Sequence, residues 1–197
     1  SANFGEVILM VTAVLAGLPI PLIAVQILYV NLATDGLPAI ALSVDPPDRD
    51  LMGRRPRLLR QGIFTPALLR YLVGMGVWTG LVSLAVFLWA LNRGDGAAEA
   101  QSLTFVTLIM LEFFNAFNCR SFDKSLFRIG LFSNRWLVWS VLANMVITLI
   151  IVYLPSLQGP FGTYSLTLLD WAVAVGAAST IFILAEIAKR FTTYLRE

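Results

Sequence analysis

Three carboxylates, Glu6, Asp35 and Glu112, sit inside long apolar stretches of this chain. Each has oxygen-bearing neighbours at helical spacing. Asn3 precedes Glu6 by three residues, Asn31 and Thr34 precede Asp35 by four and one, and Asn115 follows Glu112 by three. On α-helices, Asn3 with Glu6, Asn31 with Asp35, and Glu112 with Asn115 each share a face. At 1.5 Å per residue, Glu6 lies about 16 Å from the turn at Gly17, and Glu112 about 16 Å from Gln101. Asp35 lies roughly 20 Å from Pro21 on the same measure. All three acids can share one level near a bilayer midplane, where no Lys or Arg of these stretches stands to pair with them. An ionised side chain at that depth costs about 3 kcal/mol or more, and three together repel one another. Such a site holds cations or protons. Its groups offer oxygen and neither imidazole nor sulfur, which suits a hard cation such as calcium rather than zinc or copper.

The elements that must position these acids are membrane helices. The chain has 197 residues, 58% hydrophobic and 13% charged, against about 25% charged in a soluble domain. The apolar residues fall in blocks, giving an all-α, polytopic helical bundle with a single transmembrane domain over 1–197. Six spans are expected, at about 1–16, 22–42, 66–91, 101–119, 136–154 and 168–188. The second is interrupted near Asp35-Gly36-Leu37-Pro38, because proline removes a backbone donor and glycine lets the chain unwind. Unwound backbone at the midplane lines polar cavities and frees carbonyls for an ion. The first span reaches only about 24 Å, short of a hydrocarbon core of about 30 Å, so a parent chain is expected to continue upstream.

Charge orients the bundle. Arg49, Arg54, Arg55, Arg57 and Arg60 precede the third span, and Arg70 lies in its first turns on the same side. Arg120, Lys124, Arg128 and Arg135 lie between the fourth and fifth, and Lys189, Arg190 and Arg196 follow the sixth. Only Arg93 falls on the opposite side. The positive-inside rule makes the rich side, and both chain ends, cytosolic. Trp89, Trp136, Trp139 and Trp171 fall near span ends, where an amphipathic ring suits the interface, and Trp78 reads as a packing residue. The net charge of +2 gives no footprint for nucleic acid. The absence of histidine and the single Cys119 exclude an internal disulfide and a cysteine-rich metal site. No cleavable signal peptide is recognisable.

Several residues have plainer readings. Asn115 and Asn118 can serve as hydrogen bonds between helices, and Asp170 and Glu186 read as interfacial, Glu186 beside Lys189 and Arg190. Gly74, Gly76 and Gly80 can let the third span approach the first at Gly5. The tripeptide Arg93-Gly94-Asp95 is taken as chance.

Beyond composition, the residues resemble a known family. The run Asn3-Phe4-Gly5-Glu6 resembles the fifth transmembrane helix of sarco/endoplasmic-reticulum-type calcium-transporting P-type ATPases. Val25–Leu42, VQILYVNLATDGLPAIAL, resembles their sixth helix with its unwound core. Asp45-Pro46-Pro47-Asp48 through Arg54-Arg55-Pro56-Arg57 resembles their following loop, and Glu112 with Asn115 and Asn118 their eighth helix. The resemblance implies calcium ligands at Asn3, Glu6, Asn31, Thr34, Asp35 and Glu112. Asp35 would bridge two ions, with Asn3, Glu6, Thr34 and Glu112 completing one site and Asn31 serving the other. That second site also needs groups from a fourth helix that this chain lacks. Retention of both Glu6 and Glu112 favours a pump with two calcium sites.

The family's phosphorylated Asp-Lys-Thr-Gly-Thr motif is absent from this sequence, so the chain alone is not expected to hydrolyse ATP. Catalysis, magnesium and ATP would belong to cytosolic domains of the parent. The expected function is the cation-transport half of an ATP-driven calcium pump, with the loop after Asp45 meeting the phosphorylation domain. The emptied acids would take up protons in exchange. Expected partners are calcium, with manganese as a second ion, the lipid bilayer, and the parent's N-terminal helices and cytosolic domains. The expected location is a bacterial plasma membrane or a eukaryotic endomembrane. The alternatives are an ATP-independent channel or secondary carrier using the same acids, or an assembly fragment with no transport role.

Overall fold

The computed structural model describes residues 1–46, 65–121 and 124–194, which are helical and contain no strand. Most of the arginine-rich loop, with Asp48 and Asp50, therefore lies outside the described residues, as does Arg196. The elements are α1 (Ala2–Leu15), α2 (Ala24–Tyr29), a π-helical turn (Val30–Thr34), α3 (Gly36–Ser43), α4 (Pro66–Arg93) and α5 (Ala97–Asn118). They continue as α6 (Leu126–Ile129), α7 (Arg135–Tyr153), α8 (Pro155–Phe161) and α9 (Leu168–Tyr194). Among the described residues, five segments are long and apolar enough to cross a membrane: Ala24–Ser43, Leu68–Arg93, Ala97–Asn118, Arg135–Tyr153 and Leu168–Lys189. The first expected span is a shorter apolar helix of 14 residues.

Capping chemistry sets the ends. Gly17, at φ 68°, closes α1 with a Schellman turn in which Gly17 donates to Val14 and Leu18 to Ala13. Thr65 caps α4 by accepting from the Leu68 amide, with Pro66 at the first helical position. Asn134 caps α7 by accepting from Leu137. Helix α5 starts earlier than its apolar residues suggest, because Glu99 accepts from the Gly96 amide and recruits Ala97–Ala100 into its first turn.

Helix α5 is the axis of the bundle. It is buried over most of its length, and α4, α9, α7 and α3 pack around it. Polar links tie the two ends. At one end Gln101 donates to the Ile20 carbonyl at 2.6 Å, Gln26 to that of Phe161 at 3.1 Å, and the Tyr164 amide to Ser102 at 2.8 Å. There Arg93 lies over Trp89 and forks between Asp95 and Asp170, so Asp170 is buried and paired. At the other end Arg120 pairs with Asp45, Asn134 donates to Ala41, and Glu186 accepts from the Leu126 amide beside Lys189. Trp136 and Trp139 are exposed, whereas Trp78 donates to Thr180 and so joins α4 to α9.

Helices α1 and α4 meet along a glycine seam. A Cβ at Gly80 would fall 2.8 Å from Ile8 Cγ2 and 2.9 Å from the Gly5 carbonyl. One at Gly76 would fall 2.8 Å from the Ser1 carbonyl, and one at Gly5 would meet Thr79 at 2.9 Å. The close approach expected at Gly5 is thus made by Gly76 and Gly80, four residues apart on one face. Gly74 faces open space and takes no part. Backbone atoms cannot yield as a flexible side chain can, so Gly80→Leu should cost about 2 kcal/mol. Gly74→Leu should stay within about 0.5 kcal/mol. Unfolding midpoints in detergent would compare the two, and equal midpoints would refute the seam.

Candidate cation site

The site is organised by the π-helical turn. Its ring closes where the Asp35 amide donates to the Val30 carbonyl at 3.1 Å, one residue wider than an α-helical bond. Pro38 cannot donate to the Thr34 carbonyl, so the α-helical ladder is broken there by covalent structure. The interruption expected near Asp35–Pro38 therefore takes a particular form. The chain widens just before Asp35 instead of unwinding after it, keeps the Asp35 amide bonded, and resumes as α3 with Pro38 inside. Such π-turns recur at functional sites.

A neighbouring helix supports the turn. Asn144 on α7 is fully buried and donates to the Ala33 carbonyl at 3.0 Å. One turn on, Thr148 donates to the Asn144 carbonyl at 2.8 Å and meets the Tyr29 hydroxyl at 3.2 Å. Asn144 was missed in the sequence reading. Its available signal was an amide, with Thr148 at i, i+4, in an otherwise apolar span.

Glu6 on α1 is 5% exposed, and its Oε2 accepts from Asn31 Nδ2 at 3.0 Å. Asn31 also donates to the Ile27 carbonyl, which fixes its amide. Glu112 on α5 is likewise 5% exposed and accepts from the Thr34 hydroxyl, which also reaches the Val30 carbonyl. Asn3, Thr34, Asp35, Glu112 and Asn115 line one cavity of about 290 Å³. Glu6 and Asn31 do not line it, yet Glu6 is near enough to Asp35 and Glu112 to feel their charges. The structure thus groups the residues as a Glu6–Asn31 pair beside a cavity that holds the other four sequence candidates. Asn115 donates to Ser1 at 3.0 Å, and Asn118 to the Ile181 carbonyl, a bond between helices.

The positive charge nearest the acids is the α-amino group of Ser1, which lines the cavity and acts on Asp35 and Glu112. Oε1 of Glu6 and Oε1 of Glu112 are buried with no hydrogen-bond partner, as is Oδ1 of Asn115. A buried acceptor left in this state is costly unless a cation or a proton completes it. The ion pairs recorded among the described residues join Arg93 to Asp95 and Asp170, Arg120 to Asp45, and Lys189 to Glu186. They sit at the ends of the bundle and none reaches the three acids. Among the described residues, no set of three His, Cys, Asp or Glu is close enough to hold a metal ion by itself. A cation here must therefore draw on amide, hydroxyl and backbone oxygens beside the carboxylates, a mixed set that calcium accepts.

Comparison with known proteins shows the family. Residues 19–191 match the family described as "Cation transporting ATPase, C-terminus". The chain is 38% identical to a "Calcium-transporting ATPase" of Bacillus subtilis, over 94% of its own length and 21% of the relative's. It is 35% identical to "Calcium-transporting ATPase 1" of Bacillus cereus, over 96% of the chain and 23% of the relative. It is 36% identical to mouse "Calcium-transporting ATPase type 2C member 2", over 99% and 21%. The chain spans about a fifth of the length of these curated relatives. With its apolar helices and this match over most of its length, the chain is an integral membrane protein and belongs to the cation transporting ATPase C-terminus family.

Proposed function

We propose that this chain is the cation-binding membrane portion of an ATP-driven calcium pump, with two calcium sites of the sarco/endoplasmic-reticulum type. The observation that carries the reading is the pair of buried glutamates, each with one oxygen bonded across to the helix bearing Asp35 and one left without a partner. The relatives are calcium-transporting ATPases, which supports calcium as the cargo. Manganese, which accepts the same oxygens, is the second ion. Asp35, Thr34, Glu112 and Asn3 supply oxygens to the cavity, and Glu6 with Asn31 supplies the adjoining set.

In this reading, ATP and magnesium act on cytosolic domains of a larger parent. The chain's own work is to bind the ion, exclude the bilayer from it and exchange it for protons. Both termini are taken as cytosolic. Arg120, Lys124, Arg128, Arg135 and Lys189 lie towards the same end of the bundle, with Arg93 at the other, as the positive-inside rule requires.

Titration calorimetry of the purified chain with calcium, beside Asp35→Asn, tests the reading. Binding that disappears in the variant is the expected result. An unaltered chain that takes no calcium, or an Asp35→Asn chain that binds as well, would overturn it. The same titration run at falling pH should show affinity declining as protons compete for the carboxylate oxygens. A flat pH profile would remove the glutamates and Asp35 from the ligand set.

A further inference from the structure

The cavity separates the two helices that bear Asp35 and Glu112. Asp35, Pro38 and Leu42 line it from the α3 side, and Glu112, Ala116 and Cys119 from α5. Direct packing therefore cannot alone fix the separation of these faces. Polar links close it at both ends. At the inner end Thr34 donates to Glu112. At the outer end the Arg120 side chain, 1% exposed, pairs through Nε with both carboxylate oxygens of Asp45 at 3.1 and 3.3 Å.

Arg120 is itself fixed. One terminal nitrogen donates to the Gly130 carbonyl at 2.7 Å and the other to the Ser133 hydroxyl at 2.6 Å. Next to Ser133, Asn134 caps α7 and donates to the Ala41 carbonyl at 2.9 Å. The planar five-donor guanidinium suits this role, since it addresses three elements from one rigid fork. Asp45 stands ten residues beyond Asp35, and Arg120 eight beyond Glu112. The pair thus acts on the ligand helices from about 12 to 15 Å away.

We propose that the Arg120–Asp45 pair is a positioning latch that sets the separation of Asp35 and Glu112 across the cavity, and through it the cation affinity. The proposal rests on the reading of the cavity as a cation site. Arg120 and Asp45 touch no ion in it. Outer-shell groups hydrogen-bonded to a metal's ligands change affinity about ten- to hundredfold when removed, and a pair acting through two helices is expected at the low end of that range.

The test uses the full chain in detergent with Asp45→Asn, Arg120→Gln and the double variant. Trp78→Phe, which loses the Thr180 bond elsewhere in the bundle, serves as a control for simple destabilisation. Calcium titration should show affinity about tenfold weaker in each single variant. The double variant should be no worse than Arg120→Gln, the non-additivity of a direct pair. Trp78→Phe should lower the unfolding midpoint and leave affinity unchanged. Independently of any ion, nitroxide labels at Ile40→Cys and Phe117→Cys in a Cys119→Ser background read the distance between α3 and α5. That distance should lengthen and broaden in the latch variants only. Unchanged distances overturn the latch, whether or not calcium binds. Changed distances with unchanged calcium affinity overturn its effect on the site. An unaltered chain that binds no calcium defeats the cation reading and the affinity claim with it, while the label distances still decide whether the pair positions the helices.

Discussion

A carboxylate buried in a membrane bundle with one oxygen unpartnered is the constraint on which this structure turns. Desolvation makes the bare charge unfavourable, and among the described residues the recorded ion pairs stand only at the bundle ends. Glu6 and Glu112 are each half-satisfied, with one oxygen bonded and the other open. That arrangement differs from a structural hydrogen-bond network, in which both oxygens would find donors. On the proposed reading, that open oxygen on each glutamate is what a cation or a proton would complete.

The surrounding architecture keeps that incompleteness from collapsing. The π-turn places Thr34 and Asp35 where a regular helix would rotate them away, and Asn144 holds the turn through the Ala33 carbonyl. The glycine seam brings α1 against α4, so Glu6 rides on a closely packed pair of helices rather than a lone one. At the cavity's outer end a buried guanidinium spans the gap. A buried ion pair contributes little net stability, because desolvation offsets its attraction. Its retention there is better explained by position than by strength.

Much of this was legible in the sequence. Apolar block length located five of the six expected spans, since a bilayer imposes one dimension on every helix, while the first is a shorter apolar helix. Helical spacing put Glu112 and Asn115 on the one face that lines the cavity, but it did not separate Glu6 from Asn3 or Asn31 from Asp35, which the structure does. Local capping was less legible: the start of α5 depends on Glu99 reaching Gly96, and α8 depends on Pro155 at its first position and Gly162 in a left-handed conformation. Hydropathy is blind to both. The form of the helix interruption was partly legible, because Pro38 announces a missing bond without saying whether the chain unwinds or widens. The choice between those depends on Asn144 and Tyr29 across the interface with α7. The pairing of acids with partners was not legible. Spacing within a helix cannot tell that Asn31 turns to Glu6 while Thr34 turns to Glu112, because that choice is made by how three helices meet.

That pairing has a mechanical consequence on the proposed reading. Asn31 and Thr34 are three residues apart on one π-helical turn, yet they reach opposite neighbours, α1 and α5. Asp35 follows directly. A small rotation of this single element changes the Glu6–Asn31 and Thr34–Glu112 links together and moves Asp35 with them. A regular α-helix resists such rotation, because every residue is held by the same ladder of bonds. A π-turn beside a proline has already given up part of that ladder, so changing its register costs less. Coupling both glutamates to this one turn lets a single motion alter the whole oxygen set. For a transported ion this would link release to one motion, because losing several oxygens together weakens binding more than losing one.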